Sequence, residues 1–190
     1  MTSRPHNEAP NPASIAFRRI DIEHDVHHLY RWLGDEDVRT WYDEGEHNIE
    51  NYRERFAPES HNHKFIIEID GAPAGYIQAY RLSDEPDYAG QIGLDHDAVS
   101  IDIMLGEATY RGKGWGSVVL HEALARIVFG EMNADHACIN PDPKNERAVR
   151  SYEKAGFRGD RVVWVESELP VDTGYERIMV MSRADFEAGR

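Results

Sequence analysis

The sequence predicts one α/β domain, a mixed sheet with helices on both faces. Its 190 residues are the usual length of a single domain. The predicted elements run as strands first and then as strand, helix, strand, helix and strands, which is typical of this class. A hydrophobic content of 41% supplies a core and excludes wholesale disorder. We assign residues 15–190 to the domain and residues 1–14 to a disordered N-terminal tail.

Periodicity and turn residues define the elements of the first half. Residues 15–20 read as a strand, and Asp21 is a plausible N-cap for a helix that stops near Gly34. A second short helix is predicted over residues 48–56. A β-hairpin turns at Asp70-Gly71. The acidic stretch 83–97 is expected to be an irregular loop.

The second half begins with a strand over residues 99–105 that alternates strictly between its two faces. One face carries Val99, Ile101, Ile103 and Leu105, and the other carries Ser100, Asp102 and Met104. A glycine-rich turn and a long helix with an apolar stripe follow. The remaining predicted elements are a strand at 136–140, a helix at 145–155 capped by Asn145 and closed by Gly156, and a closing pair of strands at 161–168 and 175–182.

Charge excludes some partners. The 21 basic and 35 acidic residues give a net charge of −14, which argues against nucleic acid as a partner. No apolar run is long enough to span a membrane, and we expect no membrane partner. The lone Cys138 and the lack of a signal peptide favour the cytoplasm. Acids are concentrated in 35–50 and 84–102, and these segments would make a strongly negative cleft if they met in space.

The stretch Arg111-Gly112-Lys113-Gly114-Trp115-Gly116 lies between a predicted strand and a predicted helix. Alternating glycines let the backbone approach a ligand closely and turn its N–H groups toward one point. The positive end of the following helix favours phosphate oxygens. The spacing is neither that of a Walker P-loop nor that of a dinucleotide fingerprint. A tight loop without a ligand is the alternative interpretation of this stretch.

Two motifs together resemble the acetyl-CoA-binding core of the GNAT N-acetyltransferase superfamily: the glycine-rich turn, and Asn145 followed by Tyr152-Glu-Lys-Ala-Gly-Phe157. Further segments, Gly75-Tyr-Ile-Gln-Ala-Tyr80 among them, resemble the aminoglycoside 6′-N-acetyltransferases. The resemblance implies a GNAT fold with a mixed, mostly antiparallel twisted sheet. It also implies acetyl-CoA as co-substrate, and transfer of the acetyl group to the 6′-amine of a polycationic aminoglycoside antibiotic, which gives resistance.

The resemblance also assigns roles. Asp102 corresponds to the catalytic base and Tyr152 to the acid that protonates the departing thiolate. The residues implied in cofactor binding are Ile103, Met104, Leu105, Arg111, Gly112, Lys113, Gly114, Trp115, Gly116, Ser117, Asn145, Ala148 and Tyr152. Those implied in substrate binding are Trp41, Tyr42, Asp43, Gln78, Asp87, Asp102, Asn140 and Asp142. The family tends to place Asp where Asn140 stands, and Asp142 is a possible substitute.

Several alternatives remain open at the level of sequence. The acceptor could be a protein N-terminus, a lysine, a polyamine or a siderophore precursor, or the chain could bind acyl-CoA without turnover. Retention of both Asp102 and Tyr152 counts against a pure binding module. The scattered histidines match no zinc-site spacing, so we expect no metal, and Cys138 reads as an inert core residue. Monomer and homodimer are equally open.

Overall fold

A six-stranded sheet forms the centre of the molecule in a computed structural model, which describes residues 9–42, 45–58, 61–166 and 174–189. The strands are β1 (Ile15–Arg19), β2 (Asn62–Ile69), β3 (Ala72–Arg81), β4 (Val99–Leu105), β5 (His136–Ile139), β6 (Val162–Trp164), β7 (Tyr175–Arg177) and β8 (Met179–Ser182). The spatial order in the sheet is β1-β2-β3-β4-β5-β8, and every neighbouring pair is antiparallel except β4 and β5, which are parallel. The strands β6 and β7 form a separate antiparallel pair.

Helices pack on both faces of this sheet, as the sequence predicts. They are α1 (Ile22–Leu33), α2 (Glu36–Arg39), α3 (Ile49–Arg55), α4 (Pro86–Ile92), α5 (Trp115–Ala123), α6 (Glu146–Ala155) and α7 (Arg183–Ala188). Helix α5 continues as a π-helical segment, Leu124–Glu131. Short 3₁₀ turns lie at Pro12–Ser14, Leu82–Asp84 and Ala108–Tyr110. Among the described residues, none of the helices has the length and apolar character needed to cross a membrane.

Alternation along the strands places apolar side chains on both faces of the sheet. Ile67 and Ile77 point to the face covered by α5, where they share one cluster with Leu120. Their neighbours Ile66 and Tyr76 point to the opposite face and pack with residues of α1 and α3, including Leu29, Trp32 and Tyr52. Burying one large apolar side chain contributes roughly 1.5–3 kcal/mol. Both helical layers are therefore held to the sheet mainly by burial of apolar surface.

Of the two predicted N-caps, the one at α6 is confirmed and the one at α1 is wrong. The Asn145 side chain accepts a hydrogen bond from a backbone N–H in the first turn of α6, and Gly156 ends this helix at φ +108°. Asn48 caps α3 in the same way, although the sequence analysis did not identify it as a cap. Asp21 precedes α1 but makes no side-chain cap. The backbone N–H of Asp21 instead donates a hydrogen bond to Oδ2 of Asp25, with 2.8 Å between the nitrogen and the oxygen. The Asp25 carboxylate also accepts two hydrogen bonds from Arg18.

Two predictions of local structure need correction, and two short elements lie where the sequence analysis predicts none. The acidic stretch 83–97 is not an irregular loop throughout, because α4 forms within it, with Pro86 in its first turn and Gly93 in the left-handed conformation at its end. The short helix α2 was not predicted. The closing strands do not pair along their length: β6 pairs with β7, and β8 joins the main sheet beside β5. In the predicted tail, Pro12–Ser14 form a 3₁₀ turn.

Candidate active site

A cleft of about 600 Å³ opens where β4 and β5 separate. Within the described chain their parallel pairing consists of two residue pairs, Val99 with Ala137 and Ser100 with Cys138. Beyond this point both strands continue into the wall of the cleft. Five consecutive residues of β4 line it, 101–105, together with Ile139 and Asn140 from the β5 side. Because consecutive residues of a strand point to opposite faces, this lining indicates that the edge of β4 faces the cleft.

The glycine-rich turn forms one end of the cleft. Gly112 and Gly114 adopt left-handed backbone conformations, with φ +72° and +85°. A Cβ atom on Gly116 would lie 2.8 Å from the Oγ of Ser151 on α6, so α5 and α6 approach each other closely here. Gly112, Gly114, Gly116 and Ser117 all line the cleft. The start of α5 therefore presents backbone N–H groups to any anion bound at this end.

Lys113 and Trp115 are the two residues of the turn that the structure does not place in the cleft wall. Lys113 is exposed between two left-handed glycines. The Trp115 ring packs edge-on against Tyr110, at 5.3 Å between ring centroids, beside the core under α5. The alternating glycine spacing could not reveal which of the intervening side chains turn inward.

Arg111, one of the residues that the resemblance implies in cofactor binding, already has an acidic partner within the protein. Its guanidinium forms an ion pair with Asp35, next to the start of α2, and lies 3.7 Å from Asp37. The pair raises the pKa of Arg111 and lowers that of Asp35, chiefly through their shared hydrogen bonds. The Arg111 Nε atom is buried and makes no hydrogen bond to any residue the structure describes.

The buried Nε of Arg111 bears on whether these residues fit a phosphate group. An unsatisfied buried N–H costs about 1–3 kcal/mol, so such a group usually has a partner. The Arg111 side chain lines the cleft together with the glycines of the turn, and a Cβ on Gly112 would meet no atom within 4 Å. The donor set of backbone and guanidinium N–H groups fits the pyrophosphate of a coenzyme A molecule.

Asp102 stands at the middle of β4, on the edge of the cleft. Its Oδ2 atom accepts a 2.7 Å hydrogen bond from Nε2 of Gln78, its direct partner across the β3–β4 pair. The Oε1 atom of Gln78 in turn accepts hydrogen bonds from the hydroxyl of Tyr76 and the amide of Asn62. Gln78 lies outside the wall of the main cleft, so the structure gives it the position of a support for Asp102.

Tyr152 projects from α6 into the same cleft. Burial, and secondarily the negative charge of Asp102, raise the pKa of its phenol well above the usual range. The phenol is protonated at neutral pH, as an ordinary tyrosine is, so it has a proton to donate, and its raised pKa makes it a weaker acid than an exposed tyrosine. Asn145 caps the same helix through a 3.1 Å hydrogen bond from the Ala148 N–H, and both residues line the cleft.

The rest of the cleft wall includes residues after α2, Tyr88 of α4 and the segment after β5. Trp41, which is 41% exposed, and Tyr42, two of the residues implied in substrate binding, are part of this wall. Asp142 also lines it, and its carboxylate accepts a hydrogen bond from the Lys144 N–H within the loop. Asp43 lies outside the described residues. The exposed Asp87 is absent from the cleft wall in the described chain, because α4 turns its neighbour Tyr88 inward instead.

The cleft wall also contains a polar cluster that the sequence analysis did not identify, composed of Tyr80, Tyr88 and Glu176. The hydroxyl of Tyr88 donates a 2.7 Å hydrogen bond to Glu176 and accepts one of 2.7 Å from Asn140. The available signal was local: Pro86 after Glu85 is a helix-start pattern, and a helix there brings Tyr88 to the cleft. Nothing in the sequence pattern indicates that Glu176 lies beside it.

The two acidic segments meet at the cleft only in part. Among the described residues, each segment contributes one carboxylate to the wall, Asp37 and Asp102, and Asp142 and Glu176 add two more. Other acids of these segments have local partners, such as Asp97 with Arg81 and Asp95 with His96. Basic residues of α6 also line the cleft: Arg147, Arg150 and Lys154. Among the residues described, no three His, Cys, Asp or Glu side chains converge as metal ligands do.

A split sheet with a glycine-rich turn at one end and a carboxylate beside a protonated phenol defines an acyltransferase site. Residues 21–164 match the family model described as "Acetyltransferase (GNAT) domain", and the chain belongs to this family. It is 29% identical to aminoglycoside N(6′)-acetyltransferase type 1 of Klebsiella pneumoniae over 90% of this chain and 85% of that protein.

Solved structures give the same relationship. The complex of AAC(6′)-Ib with paromomycin and acetyl-CoA superposes with a TM-score of 0.78 at 28% identity, over 93% of this chain and 98% of that one. The complex of AAC(6′)-Ib with coenzyme A and kanamycin gives a TM-score of 0.77 at 28% identity, over 92% and 98%. The mixed, mostly antiparallel sheet is therefore the GNAT fold, and the protein is an acetyltransferase.

Proposed function

We propose that this acetyltransferase transfers the acetyl group of acetyl-CoA to the 6′-amine of an aminoglycoside. The observation that carries the proposal is the placement of Asp102 and Tyr152 in one cleft, whose wall also holds the glycine-rich turn and the carboxylates of Asp142 and Glu176. An anionic coenzyme and a cationic acceptor need both kinds of group in one site. One relative is named an aminoglycoside acetyltransferase, and a similar solved structure contains coenzyme A and kanamycin. Both point to the same pair of substrates.

The donor end holds the coenzyme through groups of this chain. Backbone N–H groups around Gly112, Gly114 and Gly116, with the Nε of Arg111, would bind the pyrophosphate. The edge of β4 at 103–105, together with Asn145 and Ala148, would line the pantetheine arm. The bound coenzyme supplies an acetyl thioester, whose carbonyl carbon is the electrophile.

The acceptor amine arrives mostly as an ammonium ion and must lose a proton to attack. Asp102 is the base in this proposal: it takes that proton, and Gln78 holds its carboxylate in place. The amine nitrogen then bonds to the thioester carbonyl carbon, and the C–S bond breaks. The sulfur leaves with the electron pair and takes a proton from the hydroxyl of Tyr152. The acylated nitrogen then gives up its second proton, which returns to Tyr152 through solvent, and Asp102 releases the first proton to solvent. The products are an N-acetylated amine and coenzyme A thiol.

Acetylation replaces an ammonium by a neutral amide and removes a positive charge that an aminoglycoside needs to bind RNA. We therefore propose antibiotic resistance as the biological effect. The cytoplasm is the proposed compartment, because acetyl-CoA and the ribosomal target are both there.

A thiol-release assay with acetyl-CoA across a panel of amines tests the proposal. We expect release with kanamycin and tobramycin, and a product that is acetylated at the 6′-nitrogen when analysed by NMR. Release only with a peptide, spermidine or a hydroxylated lysine would assign another acceptor. Tight binding of coenzyme A with no release for any amine would contradict an enzymatic function.

A further inference from the structure

A second carboxylate, Glu176, faces the cleft from the side opposite to β4. It lies on β7, which the backbone N–H of Arg177 joins to the carbonyl of Pro141 at 2.9 Å. This contact seats β7 against the segment that follows β5. Asp102, on β4, and Glu176 therefore belong to the two different walls of one cleft.

A chain of hydrogen bonds ends at the Glu176 carboxylate and orients it. The Cys138 thiol donates to Oδ1 of Asn140, at 2.9 Å, and Nδ2 of Asn140 donates to the hydroxyl oxygen of Tyr88. The Tyr88 hydroxyl proton is then directed to Oε2 of Glu176. Each donor in the chain is neutral, so the negative charge of Glu176 is positioned by the chain and not neutralised by it.

Both carboxylates act on the buried groups between them. Burial is the largest cause that raises the pKa of Tyr88, and the charges of Glu176 and Asp102 add to it. Burial and the same two charges raise the pKa of the Cys138 thiol to about 12. A cation that enters between Asp102 and Glu176 would therefore be attracted by both walls.

We propose that Glu176, with Tyr88 and Asn140, forms a second ammonium subsite, which binds an amine of the acceptor other than the one acetylated. The inference rests on the proposed function and deepens it, because it makes a second positive charge a requirement for tight acceptor binding. A carboxylate has about four lone-pair sites, and Tyr88 occupies one of them. An ammonium bound there adds a charge-assisted hydrogen bond, which is stronger than a neutral one.

The neutrality of Asn140 is part of this subsite. The Tyr88 hydroxyl has one proton, which it gives to Glu176, and its oxygen needs a donor such as the Asn140 amide. An Asp at position 140 would face the hydroxyl oxygen with a second acceptor and would bring two like charges together. A carboxylate can therefore stand at position 140 or at position 176, but two carboxylates would repel each other and leave the Tyr88 oxygen without a donor.

The first test is Glu176→Gln, which keeps an acceptor for Tyr88 and removes the charge. We expect the KM for kanamycin to rise by about 10- to 100-fold, with kcat and the KM for acetyl-CoA nearly unchanged. Methyl 6-amino-6-deoxyglucoside carries a single amine, and its KM should change less than about threefold. The matched control is Glu187→Gln, an exposed carboxylate on α7 with the same change in charge.

The second test relocates the charge. In the double variant Asn140→Asp/Glu176→Gln, the carboxylate stands at 140 and the amide at 176, and we expect much of the kanamycin affinity to return. Calorimetric titration of kanamycin into protein saturated with coenzyme A gives Kd values that need no turnover. Equal Kd values for wild type and Glu176→Gln would overturn the subsite. A wild-type enzyme that binds kanamycin but does not acetylate it would contradict the proposed function and leave this comparison intact.

Discussion

Gln78 donates a 2.7 Å hydrogen bond to the carboxylate of Asp102 from the directly opposite position on the neighbouring strand. The Gln78 amide is itself oriented by the hydroxyl of Tyr76, which is completely buried in the core under α1. A rigid apolar layer therefore controls where the proposed base stands. Side chains that are held in this way lose little freedom when the substrates bind.

Asp102→Asn tests the assignment of the base. The variant keeps the size of the side chain and loses the ability to take a proton. We expect kcat to fall by about 10²- to 10⁴-fold and coenzyme A to bind as tightly as in wild type. Steady-state kinetics with kanamycin, together with a coenzyme A titration, measures both quantities. Near-full activity at neutral pH would assign the base to another group.

Tyr152→Phe tests the assignment of the acid. Tyr152 carries its proton across the neutral range, and its raised pKa makes that proton harder to donate. We expect a loss in kcat of about 10-fold, smaller than for the base, because water can also protonate a thiolate of low pKa. The comparison is with Tyr110→Phe, since Tyr110 packs against Trp115 outside the cleft wall of the described chain. Equal kcat values for the two variants would remove Tyr152 from the chemistry.

Gly116→Val tests the placement of the coenzyme. A side chain at this position would collide with Ser151 and crowd the N–H groups at the start of α5. We expect the KM for acetyl-CoA to rise by about 100-fold or more, and Gly114→Val to have a similar effect through its positive φ. Arg111→Ala should do less, since the backbone donors remain. Gly90→Ala on α4, where a Cβ meets nothing within 4 Å, is the control.

Unchanged acetyl-CoA binding in both glycine-to-valine variants would contradict the placement. A thermal melt of each variant separates a local effect on binding from a loss of folding.

The Asp35–Arg111 pair gives a prediction about stability and pH. Because the folded-state pKa of Asp35 is lowered by Arg111, the pair stabilises the protein above the ordinary Asp pKa, about 3.9. This contribution is lost as pH falls through the lowered pKa. The Asp35 side chain is 37% exposed, so solvent screening keeps the effect small.

We expect Asp35→Asn to melt about 1–3 °C below wild type at pH 7, with the difference gone at strongly acidic pH. Asp37→Asn, whose carboxylate is 75% exposed and 3.7 Å from Arg111, should change less. A Tm difference that grows as the pH falls would have the wrong sign for this ion pair.

Salt dependence tests capture of the cationic acceptor. Screening shortens from about 10 Å at 0.1 M salt to about 3 Å at 1 M, so the cleft carboxylates act on an approaching ligand over a shorter range. The KM for kanamycin should climb steeply with salt, and the KM for acetyl-CoA, held by close contacts, should move less. The double variant Asp37→Asn/Asp142→Asn should flatten the kanamycin slope, whereas Glu50→Gln/Glu187→Gln, exposed carboxylates, should not. Equal slopes for wild type and the first variant would show that these charges do not steer the acceptor.

Much of the fold follows from local patterns. The β2–β3 hairpin, the alternation in β4 and the capped helix α6 each carry their own signal, in a turn, a period of two or a cap. No local signal shows that the closing strands join different sheets. The strands β7 and β8 are separated only by Ile178, yet β7 pairs with β6 and β8 pairs with β5. Strand pairing at long range depends on the whole sheet.

The candidate site divides in the same way. The glycine-rich turn and the strand carrying Asp102 lie close together in the sequence. Glycine spacing predicts an anion site at the turn, strand alternation places Asp102 on the polar face, and the resemblance to GNAT enzymes implies its role. The ion pair of Arg111 with Asp35 and the hydrogen bond of Tyr88 to Glu176 join residues far apart in the chain. Such contacts require the folded sheet, and for this reason the sequence analysis identified neither the partner of Arg111 nor Glu176.

A crystal structure of the protein with coenzyme A and kanamycin tests the central claim most directly. The account predicts the pyrophosphate on the N–H groups around Gly114, the sulfur within hydrogen-bond reach of the Tyr152 hydroxyl, and the 6′-nitrogen facing Asp102, directly or through one water. Coenzyme bound away from the gap between β4 and β5, or a kanamycin whose 6′-nitrogen points away from the sulfur, would contradict it.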